Sequence, residues 1–539
     1  MSSKYSNIIS KASITSLIVF SILSFLLYPY FKYRIVSDHI SYLTIAQRYI
    51  EGDYANAING YWSPFNSWLL AISHSITKLP LVPLAYTFNS ICLGVVVVLT
   101  ILIYQKAVPF GKNSLFLGLC SAAYWAISGA FNFFADSWGF LFSFIALLIL
   151  LDEKNHKKPF SWLLLGFIIS LGYFSKSYLI YSLPFIVAIL LAYQLKSENQ
   201  FTWKAWLRPM VIMLSTLIIL ILPWLYLLHQ KYGYWTLSTA GSINTSWALK
   251  SYPYFDESIS AITPATYPNG LSAWEDPSIH AGKHLSPFQN VSLFGKQIFR
   301  LIINILKWMN LSAELGILYF AVWMTAVGLM FSKLKQKLNF QFKALTIALI
   351  IFPMGYLLFA LASRYFWFTL PIIMILGLYL LEKFVFSYTN QLLKRIILSI
   401  YFLSFFPFLL LDMKAEWNVG KKEYAIAQQL KSLRIHGSFV ANQFINYQEQ
   451  FRISYFSGCP YNMYFGERFS TSELLQEAIK INTQYFFYFY EGSGEDYLLK
   501  SEDGIAYPEL TQGTIEGLKV FLISDKPFHQ ATINSDIAY

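Results

Sequence analysis

Eleven near-continuous apolar stretches divide the first 412 positions of this chain. They lie near 13–31, 82–104, 114–131, 138–151, 160–175, 178–195, 209–228, 314–332, 344–362, 365–381 and 396–412. Most reach or approach the roughly 20 residues that carry an α-helix across a bilayer core. The pattern predicts a mainly α, polytopic transmembrane helix bundle of about 11 spans. Between the first two spans polarity returns. The segment VSDHISYLTIAQRYIEGDYANAINGYWSPFNSW, from Val36 to Trp68, contains Asp38, His39, Arg48, Glu51 and Asp53. Ile40, Leu43, Ala46, Tyr49 and Ile50 recur there at helical spacing, so a helix over about 39–51 is expected to lie flat at the membrane surface.

Later in the chain Pro, Gly and Asn break all periodicity in TYPNGLSAWEDPSIHAGKHLSPFQN. An amphipathic stretch, Phe294 to Met309, follows it. The pair predicts a partly ordered cover over a surface site. After Leu411 the pattern changes again. Helical periodicity over Glu423–Ser432 and Thr471–Ile481 alternates with strand-like runs at Ser438–Ala441, Gln484–Tyr490 and Leu518–Ile523. This rhythm predicts a small α/β domain over 413–539, attached to a transmembrane domain over 1–412.

Composition supports the membrane assignment: 56% of the 539 residues are hydrophobic and only 13% charged. The net charge of +11 raises the question of nucleic acid. The basic residues answer it, because they sit in short loops between spans. With a cytoplasmic N-terminus, Lys106, Lys112, Lys154, Lys157, Lys158, Lys196, Lys204, Arg208, Lys333, Lys335, Lys337, Lys343, Lys383, Lys394 and Arg395 all fall inside. The other side receives loops at about 32–81, 131–137 and 230–313, the turn at Arg364, and residues 413–539. A bacterial plasma (inner) membrane protein with an extracytoplasmic C-terminal domain is expected, in contact with membrane lipids and with no nucleic acid. The first span follows Lys4 and Lys11 as a signal peptide would, but no small-residue cleavage site follows it, so it is read as a retained helix. Cys92 and Cys120 lie in spans and Cys459 stands alone, which implies no disulfide framework.

Charged residues on the outer side carry the candidate chemistry. Asp38 emerges just after the first span, and Asp136 sits in FNFFADSWGF with no other charge nearby. Either carboxylate suits a helix cap. Two at the mouth of one bundle also suit a shared polar cavity, where they would divide proton abstraction from holding an acceptor or a metal. Lys176 in LGYFSKSYLIYSLPF and Arg364 in LASRYFWFTLP defy the positive-inside tendency. Snorkelling explains such residues, and so does a phosphate site. Arg34 and His39 are weaker candidates for the same role. His280 and His284 stand four apart in a loop with no acidic companion at ligand spacing, a poor metal site. Glu275 and Asp276 are expected to solvate their loop. Tyr61, Trp62 and Trp274 are read as interface anchors whose faces also suit sugar rings.

Taken together, IAQRYIEGDY…NGYWSPFNSWLLA, FADSWGF, LGYFSKSYL and SRYFWFTLPIIMIL resemble the bacterial membrane glycosyltransferases of the C-type (GT-C) superfamily. The resemblance covers residues 10–380 and lies nearest family 39-like enzymes, relatives of protein O-mannosyltransferases and of the aminoarabinose transferase of lipid A. It implies a polyprenyl-phosphate sugar donor, a protein, lipid or glycan acceptor, and inversion at the anomeric carbon. It gives Asp38 the role of general base and Asp136 that of positioning the acceptor or a divalent cation (Mg, Mn or Zn). Lys176, flanked here by Ser175 and Ser177, and Arg364 take the donor phosphate. Asp53 matches a common Gly-Asp pair. Trp62-Ser63-Pro64-Phe65 replaces the Lys-Pro-Pro of the lipid A transferases, so the lysine associated there with donor phosphate is missing. Two other functions fit the same pattern: a transporter or flippase of lipid-linked sugars, and a non-catalytic envelope assembly protein.

Overall fold

A computed structural model describes residues 3–524, apart from 110, 133–134, 250–261, 281–283, 360, 443–446, 465–469, 492–496 and 502. Parts of the loops expected at 131–137 and 230–313, and the chain end at 525–539, therefore lie outside the described residues.

The protein is a multi-pass membrane helix bundle with a small mixed sheet at one end. Eight helices among the described residues are long and apolar enough to cross a membrane: Ile9–Phe31, Leu81–Ala107, Ser114–Phe131, Leu179–Ser197, Trp203–Tyr232, Phe340–Leu358, Thr369–Tyr388 and Gln391–Ala415. A further pair, Val291–Leu315 and Tyr319–Phe331, is apolar enough when taken together but bends by 116° at the break between its helices. Two further apolar helices, Asp136–Leu150 and Pro159–Ser175, are shorter. Fifteen residues of α-helix run only about 22 Å. The short pair therefore ends early, and Asp136 and Lys176 stand at those ends.

The amphipathic expectation for Phe294–Met309 holds within Val291–Leu315. Phe294, Phe299, Ile302 and Leu306 are exposed, while Gln297, Asn304 and Trp308 are buried. The buried amides do structural work. Gln297 donates to the Leu358 carbonyl at 2.9 Å and Asn304 to the Leu357 carbonyl at 2.8 Å. The chain breaks there before resuming as helix at Thr369. Carbonyls freed from a helix in an apolar setting need such partners, and this break carries Arg364.

The first-loop helix, Ser37–Glu51, forms where the spacing predicts it and packs largely against protein. Ile40 and Leu43 pack in one cluster with Leu70, Leu84 and Phe451, and Tyr42 and Ile45 in another with Trp62 and Ala135. Protein covers most of the helix and leaves Gln47 and Glu51 exposed. His39, Ser41 and Arg48 are polar, yet all three are buried.

After the bundle, strands Phe439–Ala441, Tyr485–Phe489 and Leu518–Leu522 form one sheet. The first two pair in parallel, and the last two antiparallel. Helices Lys421–Ser432 and Thr471–Lys480 match the sequence pattern, but helix Tyr447–Ser457 was not foreseen. Its inward face includes Gln450, Arg452 and Ser454, which hides the apolar stripe. Ile262–Thr263 of the long loop adds an antiparallel pair with Met463–Tyr464.

At the end opposite Asp38, Lys106 meets Asp152 at 3.2 Å, Asn339 donates to the Ala107 carbonyl at 2.7 Å and Gln341 meets Glu153 at 3.0 Å.

Candidate functional site

Four charged residues from distant parts of the sequence meet at the Asp38 end of the bundle. Asp38 lies in the first turn of Ser37–Glu51, and Asp136 is the first residue of Asp136–Leu150. Neither is a cap: Val36 and Ala135 hold those positions. Both carboxylates instead sit where a helix dipole favours negative charge. Lys176 occupies the extended break after Pro159–Ser175, and Arg364 a 3₁₀ turn, Ser363–Phe366.

These side chains form an alternating line. Arg364 binds the Asp38 carboxylate at 2.6 Å and approaches Asp136 at 3.9 Å, while Lys176 binds Asp136 at 2.7 Å. All four are largely shielded, with side-chain exposures between 13% and 25%. Burial disfavours the Arg364 charge, but Asp38, Tyr365 and Asp136 outweigh it and hold the guanidinium well above its usual range. Lys176 and Arg364 also lie over the Tyr365 ring, at 4.9 and 5.4 Å. Gly139 allows the approach of Lys176: a methyl there would stand 3.2 Å from the Lys176 Cβ. The Ser177 amide donates to Ser63 Oγ at 3.1 Å, which ties this turn to the first loop.

An aromatic wall closes one side. Tyr61, Trp62 and Trp274 have ring centroids 4.8 to 5.9 Å apart. Burial and then the Asp38 charge raise the Tyr61 phenol, which stays protonated. The Trp274 indole N–H donates to Asp38 Oδ1 at 3.2 Å. Sequence reading placed Trp274 among interface anchors; its contact with Asp38, 236 positions away, is one that no local pattern announces.

Three other candidates stand outside the four-charge line. Arg34 makes a bidentate pair with Glu416, at 2.7 and 2.9 Å, and also donates to the Phe131 carbonyl. It ties the start of the C-terminal region to the bundle. Asp53 pairs with Arg48 at 2.8 Å, and Arg48 is also bound to Glu275. His39 is buried, and burial together with Arg34 and Arg364 pushes its pKa well below 6.5. It is neutral at pH 7 and adds no charge to the site.

Glu275 and Asp276, expected to be solvated, are buried. Asp276 accepts from Tyr267 at 2.6 Å and Tyr232 at 2.9 Å and pairs with Lys231 at 3.0 Å. Buried acids persist where such partners exist. His280 contacts Thr266 Oγ1 at 2.9 Å and His284 is exposed. Among the described residues, no three or more His, Cys, Asp and Glu side chains group as metal ligands. Asp38 and Asp136 are the two carboxylates at the site, and each is engaged by a cation.

No family model and no curated protein sequence matches the chain, whereas several solved structures do. The structure of ArnT from Cupriavidus metallidurans bound to undecaprenyl phosphate aligns with a TM-score of 0.56 at 13% identity, over 95% of this chain and 98% of that one. Its apo form gives 0.53 at 13% identity, over 90% and 93%. The apo oligosaccharyltransferase of Archaeoglobus fulgidus gives 0.53 at 13% identity, over 88% of this chain and 69% of that one. At this identity the likeness is one of fold, shared with ArnT and with the oligosaccharyltransferase.

Proposed function

We propose that this protein is an inverting membrane glycosyltransferase. It moves a sugar from a polyprenyl-phosphate carrier to an acceptor hydroxyl on the extracytoplasmic face. The observation that carries this reading is the line Asp38, Arg364, Asp136, Lys176. Two cations held beside two carboxylates at the mouth of a membrane bundle answer the two needs of the reaction. The anionic headgroup of a lipid carrier requires positive charge, and the acceptor hydroxyl requires a base within reach. That ArnT with this fold binds undecaprenyl phosphate supports the donor class.

In the resting site Arg364 is paired with Asp38. An arriving phosphate draws Arg364 and Lys176 toward itself and leaves Asp38 free to accept a proton. The acceptor oxygen then attacks the anomeric carbon from the face opposite the phosphate. The new C–O bond forms as the bond to phosphate breaks, and polyprenyl phosphate departs with the electron pair. The hydroxyl proton passes to Asp38, Arg364 and Lys176 stabilise the leaving charge, and Asp136 orients Lys176. The C-terminal region lies on the same extracytoplasmic side.

The test is to supply the purified full-length protein in lipid nanodiscs with a polyprenyl-phosphate sugar and candidate acceptors, and to follow release of polyprenyl phosphate. Release is expected. A carrier protein that moves the donor without cleaving it leaves the donor intact, and that result contradicts the reading.

A further inference from the structure

We infer that Trp274 is a positioning residue for the reaction proposed above, and that the long loop and the C-terminal region serve to hold its indole against Asp38. The inference rests on that proposed reaction. It starts from the division of the Asp38 carboxylate: Oδ2 faces Arg364 at 2.6 Å, and Oδ1 accepts from Trp274 Nε1 at 3.2 Å. Oδ2 is the oxygen freed for a substrate proton once Arg364 turns to phosphate, while Trp274 remains on Oδ1. A donor fixed on that atom sets the plane of the carboxylate, and orientation of a base within a few tenths of an ångström governs its rate.

Everything around Trp274 restrains it. Its own carbonyl accepts from Ser41 Oγ at 3.0 Å and from Trp62 Nε1 at 2.9 Å. The next residue, Glu275, is bound to Arg48, and its carbonyl accepts from Asn59 at 2.8 Å. Asp276 is fixed by Lys231, Tyr267 and Tyr232. On the other flank the Leu271 carbonyl accepts from the Tyr461 amide at 2.8 Å and from Ser454 Oγ at 3.3 Å. The C-terminal region also holds the residue before Asp38: Gln448 accepts from the Ser37 amide at 2.8 Å and donates to Ser37 Oγ at 3.1 Å. Two buried acids in succession and a strand pair at Ile262–Thr263 are costly ways to order a surface loop that only sheds water. They make sense when the residue between these supports must stay in register with a base. The indole itself is only half-buried, so its face remains open beside Tyr61 for a sugar ring.

Two variants separate the indole N–H from its face. Trp274→Phe keeps an aromatic ring but cannot donate, and is expected to lower kcat about 10-fold, as loss of one hydrogen bond to a charged group does. Its KM for the donor and its melting temperature should match wild type. Trp274→Ala loses the ring as well and should also raise the acceptor KM. A merely structural role predicts the opposite division, with lowered melting temperature in both variants and an unchanged kcat in the fraction that stays folded. Wild-type kcat in Trp274→Phe, alongside an inactive Asp38→Asn, overturns the inference and leaves the proposed function standing. Full activity in Asp38→Asn removes the reading on which the inference rests.

Discussion

The four-charge line makes a counterintuitive prediction about donor binding. Its formal charges sum to zero: Lys176 and Arg364 contribute +2, and Asp38 and Asp136 contribute −2. Replacing Asp136 by Asn leaves +1, and replacing Arg364 by Gln leaves −1. A phosphate gripped by Lys176 and Arg364 would lie roughly 5–6 Å from the Asp136 carboxylate, given that both cations touch or approach it. At an effective dielectric of about 20 that repulsion is about 3 kcal/mol. Reorganisation and residual solvent reduce the net gain to about 1 kcal/mol, so Asp136→Asn should bind polyprenyl phosphate about five-fold more tightly. Arg364→Gln loses a charge-assisted contact worth about 1.5–3 kcal/mol and should bind 10- to 100-fold more weakly. Titration of polyprenyl phosphate into nanodisc-embedded protein, followed by calorimetry, gives both constants. The effect of Asp136→Asn should shrink only modestly with salt, because the site is shielded. If Asp136→Asn weakens binding as much as Arg364→Gln does, the carboxylate contributes to the phosphate site and the electrostatic argument is refuted.

The remaining predictions concern the cover over the site. Arg48 and Glu275 are both buried, and removing one partner of such a pair typically costs about 3–5 kcal/mol. Asp53 remains on Arg48 at 2.8 Å, so Glu275→Gln should cost about 2–3 kcal/mol, read as a lowered melting temperature and faster proteolysis within the long loop; a change below about 0.5 kcal/mol contradicts the assignment. Restoring balance with Arg48→Met on the same background should recover part of the loss, and simple additivity of the two losses would show no coupling. Burial lowers the His280 pKa from 6.5 to about 4 against the opposing pull of Asp276. The folded state keeps this ring neutral while the unfolded chain takes a proton below 6.5, so stability is lost as pH falls from 6.5 toward 4, by about 1–3 kcal/mol. In His280→Gln that slope between pH 6.5 and 4 should flatten, and an unchanged slope in thermal inactivation would assign it to other groups.

Much of the fold was legible because bilayer length and positive-inside charge are strong, local signals. Most of the predicted spans lie within a few residues of the helices. Strands such as Tyr485–Phe489 and Leu518–Leu522 fell where aromatic and β-branched runs placed them. What escaped was polarity put to structural use. Arg34, His39 and Asp53 have the same residue types and the same loop as Asp38, and sequence cannot distinguish a residue aimed at the site from one paired behind it. The difference lies in partners such as Glu416 and Glu275, which stand 382 and 227 positions away. Glu275 and Asp276 misled for the same reason: a Trp-Glu-Asp run among Pro and Gly reads as a wet loop until Arg48, Lys231 and two tyrosines are seen to enclose it. Asp38, Asp136, Lys176 and Arg364 stood out because each is a charge at the end of an apolar segment, where the cost of burial demands a partner.

The central claim is that Asp38 takes the acceptor proton while Arg364 and Lys176 hold the donor. Single-turnover release of polyprenyl phosphate by Asp38→Asn, measured beside its affinity for the same lipid, tests it most directly. Release reduced by at least about 1,000-fold, with affinity equal to or tighter than wild type, is the predicted result. Release at the wild-type rate, or loss of lipid affinity together with activity, would contradict it.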